Sequence, residues 1–326
     1  MLDSKIILIT GGTGSFGKKI TEIILKEYEL KAIRIFSRGE LEQQKMREQF
    51  KGYKNSDKLR FFIGDVRDKN RLYRAMNGVN IVIHTAALKQ VPTCEYNPIE
   101  AIKTNVDGAI NIIDVAIDNN VEKAITISTD KAVYPVNLYG ATKLVAEKLF
   151  TQGNVYKGEK RTKFSCVRYG NVIGSRGSVI PIFQKQKKGG IITITDIGMT
   201  RFWITLEQAS RFVLDCIDSM QGGEIFIPKI PSMKIINLAE VIAPKTKIKI
   251  TGIRPGEKTN ETLLTGEEAR HTKEFDNYFV IEPEFHFWDR GYFKGEKPLP
   301  LNFTYSSDNN DHWITKAELN KMLEEL

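Results

Sequence analysis

The sequence predicts an α/β protein in which a doubly wound parallel sheet is joined to a smaller α/β domain. Short runs rich in Ile, Val and Phe alternate with amphipathic stretches throughout the first half of the 326 residues. Glycine or polar residues bound each apolar run, which is typical of buried strands. Strands and helices that alternate at such short intervals form right-handed βαβ units and therefore a parallel sheet. Together these observations predict a Rossmann-type fold.

Strands and helices are predicted to alternate strictly from residue 5 to residue 168. The six predicted strands are Lys5–Thr10, Ala32–Ser37, Leu59–Gly64, Asn80–Thr85, Lys123–Ser128 and Lys163–Arg168. The five predicted helices, in which apolar residues recur at helical spacing, are Ser15–Lys26, Leu41–Phe50, Lys69–Asn77, Ile99–Ile117 and Leu138–Thr151. We therefore predict that residues 1–170 form a cofactor-binding domain, to which some later segments return.

The regular alternation stops after about Gly170, where glycine and proline become frequent. Helices are predicted at Leu206–Met220 and Ile235–Ala243, separated by short strands. Residues 171–326 are expected to form a smaller, loop-rich domain that binds substrate at the carboxyl edge of the sheet. Residues 271–300 mix aromatic and charged side chains without a period, so no element is assigned there.

The charge balance at first leaves three kinds of anionic partner open. The chain has 48 Lys and Arg residues against 40 Asp and Glu residues, a net charge of +8. This charge suits nucleic acid, a membrane surface or a phosphorylated small molecule. The basic residues lie in short, interrupted groups, and no apolar run reaches the roughly 18 residues of a membrane span. We therefore expect a phosphorylated small molecule, with no nucleic-acid and no membrane partner.

The cysteines indicate neither disulfides nor a metal site. Cys94, Cys166 and Cys216 lie far apart and lack the spacing of metal ligands. Free thiols of this kind are typical of a reducing compartment, so we expect a cytoplasmic protein that holds no metal.

Glycines at positions 11, 14 and 17 form a G-x-x-G-x-x-G motif between the first strand and the first helix. Such a turn needs a positive φ, a close approach of the backbone to a pyrophosphate and tight packing of helix on strand. The N–H groups at the helix N-terminus would then bind the pyrophosphate. The predicted cofactor-binding residues of this turn are Gly11, Thr13, Gly14, Ser15, Phe16 and Gly17.

The residues that follow the second strand favour NADP over NAD. NAD-preferring sites place an acidic residue there, whereas this chain has Ser37 and Arg38. A hydroxyl and a guanidinium suit a 2′-phosphate, although a solvated surface role for Arg38 stays open. Later strand ends add further predicted cofactor contacts, at Asp65, Val66, Ala86 and Lys89.

Tyr139 and Lys143 form a Y-x-x-x-K motif on the last predicted helix of the first half. The i, i+4 spacing places both side chains on one helix face. An ammonium close to a phenol is expected to lower the pKa of Tyr139. Tyr139 can then take a proton from a sugar or alcohol hydroxyl while hydride leaves for the nicotinamide, so both residues are also predicted to contact the cofactor.

An acid and a base stand side by side at the end of the fifth strand, in Ser128-Thr129-Asp130-Lys131. A structural turn with a helix cap is the alternative interpretation. Oxidation of a sugar at carbon 4 makes the proton at carbon 5 acidic and the hydroxyl at carbon 6 a leaving group. We predict that Lys131 is the base and Asp130 the acid for this loss of water, after which hydride returns to carbon 6.

The motifs Thr10–Gly17, Thr129–Lys131 and Tyr139–Lys143 resemble those of the extended short-chain dehydrogenase/reductases, specifically the nucleotide-sugar 4,6-dehydratases. Lys131 stands where the retaining dTDP-glucose enzymes have Glu, and is similar to the inverting UDP-N-acetylglucosamine 4,6-dehydratases. That group opens the pseudaminic acid pathway for flagellin and other surface glycans. Further matching stretches are Ala86–Lys89, Arg168–Asn171, Gly174–Ser178, Met199–Ile204 and Arg254–Lys258.

The resemblance implies UDP-N-acetylglucosamine as substrate and UDP-2-acetamido-2,6-dideoxy-β-L-arabino-hexos-4-ulose as product. It also implies a tightly bound NADP that is recycled in each turnover, a homo-oligomer, and a catalytic group that includes Thr129. The substrate-binding residues that it implies are Lys89, Asn171, Arg176, Arg201 and Arg254. Glu42 departs from the pattern, because the inverting dehydratases commonly have a lysine at this position. Binding of a 2′-phosphate would then depend on Ser37 and Arg38 alone.

Three alternatives differ from the dehydratase in the residues that they require. A UDP-sugar 4-epimerase needs Tyr139 and Lys143 but has no use for Asp130 and Lys131. The capsule-type dehydratase/epimerases resemble this chain but often lack the tyrosine. A regulatory protein that senses NADP needs no acid/base set. The four residues together therefore favour the inverting dehydratase.

Overall fold

A computed structural model of the chain describes residues 2–175, 177–285, 287–291, 293 and 297–324. Its strands are β1 (Ile6–Thr10), β2 (Ala32–Ser37), β3 (Leu59–Ile63), β4 (Ile81–His84), β5 (Lys123–Thr129), β6 (Lys163–Tyr169), β7 (Asn171–Val172), β8 (Ile191–Ile194), β9 (Thr200–Ile204), β10 (Ile225–Pro228), β11 (Ser232–Lys234), β12 (Lys247–Ile250), β13 (Thr262–Leu264), β14 (Thr272–Glu274), β15 (Tyr278–Ile281), β16 (Lys297–Pro298) and β17 (Tyr305–Ser306).

The α-helices are α1 (Ser15–Glu27), α2 (Glu40–Gln49), α3 (Lys69–Met76), α4 (Val91–Tyr96), α5 (Pro98–Ile102), α6 (Gly108–Asp118), α7 (Leu138–Gln152), α8 (Val179–Lys188), α9 (Leu206–Ser219), α10 (Ile235–Ile242), α11 (Gly266–Ala269) and α12 (Lys316–Glu324). Short 3₁₀ turns occupy Ser56–Lys58, Asp130–Ala132 and Gly153–Val155, and a π-helical turn occupies Lys103–Asp107.

The main sheet has the order β16-β14-β15-β10-β6-β5-β4-β1-β2-β3. All neighbours from β10 to β3 run parallel, whereas β15, β14 and β16 are antiparallel to their neighbours. The strand order reverses at β1, which has β2 on one side and β4 on the other. At such a point a sheet of this kind opens a crevice at its carboxyl edge. The predicted Rossmann-type, doubly wound parallel sheet is therefore confirmed.

The predicted elements of the first half lie close to the observed ones, with two differences. Helix α4 has no predicted counterpart. The single helix predicted at Ile99–Ile117 is divided into α5, the π-helical turn and α6. The turn carries Asn105, which is buried and bonds to a neighbouring loop. Insertions of this kind often occur at functional sites, and apolar spacing does not reveal them.

The second half of the chain contributes to two regions. Strands β10, β14, β15 and β16 extend the main sheet beyond β6, and α9 packs against α1. A separate apolar cluster forms around Trp203, Phe183 and Leu238, between α8, α10 and β9. Small sheets of β11-β9-β7, β12-β8 and β13-β17 complete this part. The division at residue 170 stays a prediction, and residues 271–300, to which no element was assigned, contain β14, β15 and β16.

The three cysteines are free and buried. Among the described residues, no helix combines the length and the apolar character that a membrane crossing requires. Within the same ranges, no group of His, Cys, Asp and Glu side chains is arranged to hold a metal ion.

Candidate active site

A cavity of about 760 Å³ opens at the carboxyl edge of the parallel strands. This volume is within the range of pockets that hold small molecules and cofactors. Nearly all the predicted site residues line it: Gly11, Thr13, Gly14, Ser15, Phe16, Gly17, Ser37, Arg38, Asp65, Val66, Ala86, Lys89, Thr129, Lys131, Tyr139, Lys143, Asn171, Arg201 and Arg254. Arg176 lies outside the described residues. Asp130 does not line the cavity but lies behind its wall, fully buried.

The glycine turn has the geometry that its motif predicts. Gly11 has a φ of 63°, and a Cβ there would lie 2.9 Å from the Ala86 backbone. A Cβ on Gly17 would lie 2.5 Å from Gly12 Cα, so the close packing of α1 on the turn requires a glycine at position 17. The N-cap residue Gly14 supplies no side-chain acceptor to the first turn of α1. The turn therefore fits a pyrophosphate bound to the helix N-terminus.

The end of the cavity lined by Ser37 and Arg38 contains opposing charges. Arg38 is largely exposed, with Nη1 3.9 Å from Asp65 Oδ2. Burial would raise the pKa of Asp65, but hydrogen bonds from Arg67 hold it below its usual value. Since Arg67 already binds Asp65, the Arg38 guanidinium is only weakly paired and can meet a phosphate. Glu42 lines the same end and pairs with Lys45 at 3.2 Å.

The turn after β5 lies directly against the start of α7. Asn137 caps α7 by accepting a hydrogen bond from the Gly140 N–H at 2.8 Å. A Cβ on Gly140 would lie only 2.1 Å from the Lys131 carbonyl oxygen. Glycine at this position therefore lets the first turn of α7 approach the Asp130–Ala132 turn, which brings Tyr139 and Lys131 to the same wall of the cavity.

Lys131 lies between two buried carboxylates. Its Nζ is 3.0 Å from Asp130 Oδ1 and 3.2 Å from Glu261 Oε1. Burial alone would lower the pKa of Lys131, but these two carboxylates raise it well above its usual value. Burial raises the pKa of Asp130, which favours its protonated form. Asp130 is thus suited to carry a proton, whereas Lys131 as a base must first transfer its own.

The predicted electrostatics of Tyr139 need a correction. Burial raises the pKa of Tyr139 to about 12, and the ammonium that most opposes this rise belongs to Lys131. Lys143 was predicted to lower the pKa of the phenol, and that prediction is wrong for this arrangement. Lys143 is itself buried, which lowers its pKa and favours the neutral amine over the ammonium.

The loop at Ala86–Lys89 is held in place by the π-helical turn. Asn105 accepts a hydrogen bond from the Leu88 N–H at 2.8 Å and donates to the Leu88 carbonyl at 2.9 Å. The same amide donates to Thr142 Oγ1 on α7 at 3.0 Å. Lys89 therefore has a fixed backbone near the reacting groups, and burial, together with Lys131, lowers its pKa.

Arg201 and Arg254, two of the predicted substrate-binding arginines, differ in their surroundings. Arg201 is buried and donates to the carbonyls of Thr200, Lys258 and Thr259 at 2.6, 2.9 and 2.8 Å. Its guanidinium thus organises the loop before β13. Arg254 has a side chain 65% exposed, and its Nη1 is 3.9 Å from Glu257. Arg254 is therefore the arginine with the freedom to reach a diphosphate.

Two residues of this region were missed by sequence reasoning. Lys258 donates to the Val133 carbonyl at 2.9 Å and to the Asp130 carbonyl at 3.2 Å, and pairs with Glu261 Oε2 at 2.8 Å. Lys258 closes the Arg254–Lys258 stretch already singled out for its resemblance. Glu261 comes three residues later, and no sequence signal marks a carboxylate that tertiary contacts bury.

The family model described as "Polysaccharide biosynthesis protein" matches residues 7–283. A Campylobacter jejuni protein (serotype O:23/36, strain 81-176) named UDP-N-acetylglucosamine 4,6-dehydratase (inverting) is 52% identical, over 98% of this chain and 97% of that protein. A Rickettsia conorii protein named UDP-glucose 4-epimerase is 43% identical, over 95% of this chain and 92% of that one. The X-ray structure of Pen from Bacillus thuringiensis is 39% identical with a TM-score of 0.91, covering 100% of this chain and 99% of that chain.

Proposed function

The chain belongs to the polysaccharide biosynthesis protein family, and from this premise we propose that it is an inverting UDP-N-acetylglucosamine 4,6-dehydratase. The relatives described above include one named as a nucleotide-sugar dehydratase and one named as an epimerase. The chain is then a hydro-lyase of the extended short-chain dehydrogenase/reductases, as the sequence motifs predict. The observation that carries the proposal is the meeting of Tyr139 and Lys131 at one wall of the cavity, with Asp130 buried behind the wall and paired with Lys131. The 52% identical relative that bears this name covers nearly the whole chain and supports it.

The cofactor proposed for the glycine turn is NADP, which would accept hydride from carbon 4 and return it to carbon 6. Gly11, Gly14 and the first turn of α1 would hold its pyrophosphate. Ser37 and the weakly paired Arg38 support a 2′-phosphate, whereas Glu42 opposes one. Titration of the cofactor-free protein with NADP and NAD tests this, and tighter binding of NAD would overturn the choice of NADP.

Tyr139 would take the proton of the carbon 4 hydroxyl as the oxidation proceeds. Lys131 would then remove the carbon 5 proton, and its ammonium can become a base by passing a proton across the 3.0 Å contact to Asp130. This transfer leaves one neutral amine and one protonated carboxyl. Asp130 lies behind Lys131 and Thr129, and the Thr129 hydroxyl donates to Asp130 Oδ1 at 2.9 Å, so the proton for the leaving hydroxyl would pass through these groups. Return of hydride to carbon 6 would leave an enolate, and the Lys131 ammonium, whose protons exchange with solvent, would give a proton back to carbon 5.

Residues 171–326 would bind the UDP-sugar, with Arg254 on the diphosphate and with Asn171 and Arg201 lining the remaining wall. Lys89, from the first half of the chain, would face the sugar. We further propose a cytoplasmic homo-oligomer, whose product enters the synthesis of pseudaminic acid for flagellin or other surface glycans. These proposals rest on the resemblance described above.

Nuclear magnetic resonance of a reaction in deuterated water tests the proposed function directly. UDP-N-acetylglucosamine should give a 4-keto, 6-deoxy product of L-arabino configuration with deuterium at carbon 5. A D-xylo product formed from the outset would contradict inversion.

A UDP-sugar 4-epimerase is the second candidate, because a 43% identical relative has that name. Such an enzyme would give only the carbon 4 epimer of its substrate, without deuterium at carbon 5. Lys131→Ala separates the two candidates as well, since a dehydratase should lose elimination by about 10²-fold to 10⁴-fold. Cofactor binding serves as the control and should be unchanged, whereas full dehydratase activity in Lys131→Ala would remove Lys131 from the mechanism.

A further inference from the structure

Glu261 is a buried carboxylate that touches the reacting end of the cavity without any role in the mechanism above. Its side chain is 2% exposed, lies 3.2 Å from Lys131 Nζ and lines the cavity. Lys131 therefore contacts two carboxylates at nearly equal distances, Asp130 at 3.0 Å and Glu261 at 3.2 Å. The proton that leaves Lys131 has two acceptors within reach, and the surroundings of each decide between them.

The two carboxylates differ in how many cations surround them. Glu261 pairs with Lys258 at 2.8 Å and lies 3.8 Å from Arg201 Nε, in addition to Lys131. Burial would raise the pKa of Glu261, but these three cations hold it below its usual value. Asp130 has Lys131 as its cation, and burial raises its pKa. Glu261 thus stays ionised while Asp130 can be protonated.

The position of Glu261 is fixed by the second half of the chain. Its backbone N–H donates to Ser307 Oγ at 2.9 Å, and its carbonyl accepts from the Ser307 N–H at 2.7 Å. Lys131, by contrast, is carried by the turn between β5 and α7. The contact with Glu261 therefore fixes the position of the Lys131 side chain from a distant part of the chain.

We propose that Glu261 is a positioning residue for the acid/base pair: its permanent charge holds the Lys131 ammonium beside Asp130 and makes Asp130 the acceptor of the lysine proton. This inference rests on the proposed dehydratase function. Among the residues that the structure describes, the charged and titratable groups around Lys131 and its two carboxylates are Asp130, Glu261, Arg201, Lys258, Lys89 and Tyr139.

Glu261→Gln keeps the shape of the side chain and removes its charge. The active form of the pair carries one shared proton, so its pH range is bounded by two apparent pKa values that belong to the pair. The Glu261 charge raises the pKa of both Asp130 and Lys131. Its loss should therefore move both limbs of the pH profile for deuterium entry at carbon 5 to lower pH, by about one to two units.

In addition to the shift of the pH profile, Glu261→Gln should affect KM and kcat differently. The KM for UDP-N-acetylglucosamine should change by less than about twofold, while kcat falls. Glu261→Asp keeps the charge but shortens the side chain, so its profile should keep the wild-type limbs with a reduced kcat. If Glu261→Gln does not fold, Glu261→Asp alone decides: limbs moved to lower pH, or an unchanged kcat, would contradict the proposal.

Glu268→Gln is the matched control, because Glu268 is another carboxylate paired with a buried arginine and does not line the cavity. It should lower thermal stability and leave the pH profile in place. If Glu261→Gln lowers stability in the same way with unmoved limbs, Glu261 is only structural and the proposal is wrong.

A readout without substrate separates this inference from the proposed function. A wild-type protein that forms no 4-keto product and takes up no deuterium contradicts the dehydratase. The ¹⁵N resonance of the Lys131 ammonium then still reports on Glu261. As the pH rises, the ammonium resonance should disappear at a lower pH in Glu261→Gln than in wild type. An unchanged midpoint for this deprotonation would overturn the positioning role.

Discussion

Tyr139 differs from a free phenol because the wall of the cavity removes water from it. Burial raises its pKa to about 12, so the phenolate is scarce near neutral pH and becomes more abundant as the pH rises. If Tyr139 is the base of the oxidation, the rate of cofactor reduction should rise roughly tenfold per pH unit below that pKa.

Single-turnover absorbance of the reduced cofactor, followed across pH with wild type and Tyr139→Phe, measures this dependence. Tyr139→Phe should be slow at every pH, and its profile should be flat. A wild-type rate that does not vary with pH over the same range would contradict the assignment of the phenolate as base.

Arg254 is the residue on which substrate affinity is expected to depend. Its guanidinium is mostly exposed and only weakly paired, so it can bind a diphosphate without breaking a strong contact. Arg254→Ala should raise the KM for UDP-N-acetylglucosamine by about 10-fold to 100-fold and change kcat much less. Arg60→Ala, an exposed arginine on β3, is the control and should leave both constants unchanged. A loss confined to kcat would exclude a binding role for Arg254.

Helix α7 depends at its first turn on a glycine. A methyl group on Gly140 would meet the Lys131 carbonyl at 2.1 Å, so Gly140→Ala should push α7 away from the Asp130–Ala132 turn. We expect kcat to fall at least about 10²-fold, because small displacements of reacting groups are costly. Circular dichroism should show a folded protein.

Gly189→Ala provides the comparison for this substitution. Its new methyl group would meet the Gln186 carbonyl at 3.4 Å, an ordinary contact at the end of α8, and Gly189 does not line the cavity. Wild-type activity in Gly189→Ala and in Gly140→Ala alike would show that the close approach at Gly140 is not needed.

Most strands and helices of the first half were predictable because they bury much of their own apolar runs, as β2 does. The division of the predicted helix Ile99–Ile117 was not predictable, because the π-helical turn is stabilised by hydrogen bonds between Asn105 and the distant residues Leu88 and Thr142. Strands β14 and β15 also escaped prediction, because they are short and depend on pairing with distant strands such as β10. Local sequence carries no trace of such partners.

The candidate site divides in the same way. Residues in motifs with fixed spacing, such as Tyr139 and Lys143, were found because one element presents them both. Glu261 and Lys258 act on a turn more than a hundred residues away, and only the folded chain brings them to it. The pKa of Tyr139 was mispredicted because the spacing of a motif does not reveal how deeply the folded chain buries the phenol.

At the scale of the whole molecule, a buried ion-pair triad joins the early and late segments. Arg168 on β6 binds Glu147 on α7 at 2.7 Å and Glu268 on α11 at 2.9 Å, and donates to the Leu263 carbonyl at 2.9 Å. Arg168→Met should leave two carboxylates without their cation and lower the free energy of unfolding by about 3–5 kcal/mol. Urea denaturation measures this change.

Glu147→Gln with Arg168→Met completes the test of the triad. Removing both buried charges should recover part of the lost stability, because one uncompensated carboxylate disappears. Equal stability of Arg168→Met and wild type would show that the triad does not hold the two segments together.

The late strands of the main sheet have a consequence for synthesis of the chain. Strand β6 pairs on one side with β5 and on the other with β10, which is translated only after α8, β8, β9 and α9. A nascent chain that has left the ribosome only to residue 170 exposes an apolar strand edge at Cys166 and Val167, the kind of edge that attracts other chains. The ribosome-bound intermediate is therefore most exposed to aggregation during translation of residues 170–225, and a chain truncated at residue 170 would retain that edge permanently.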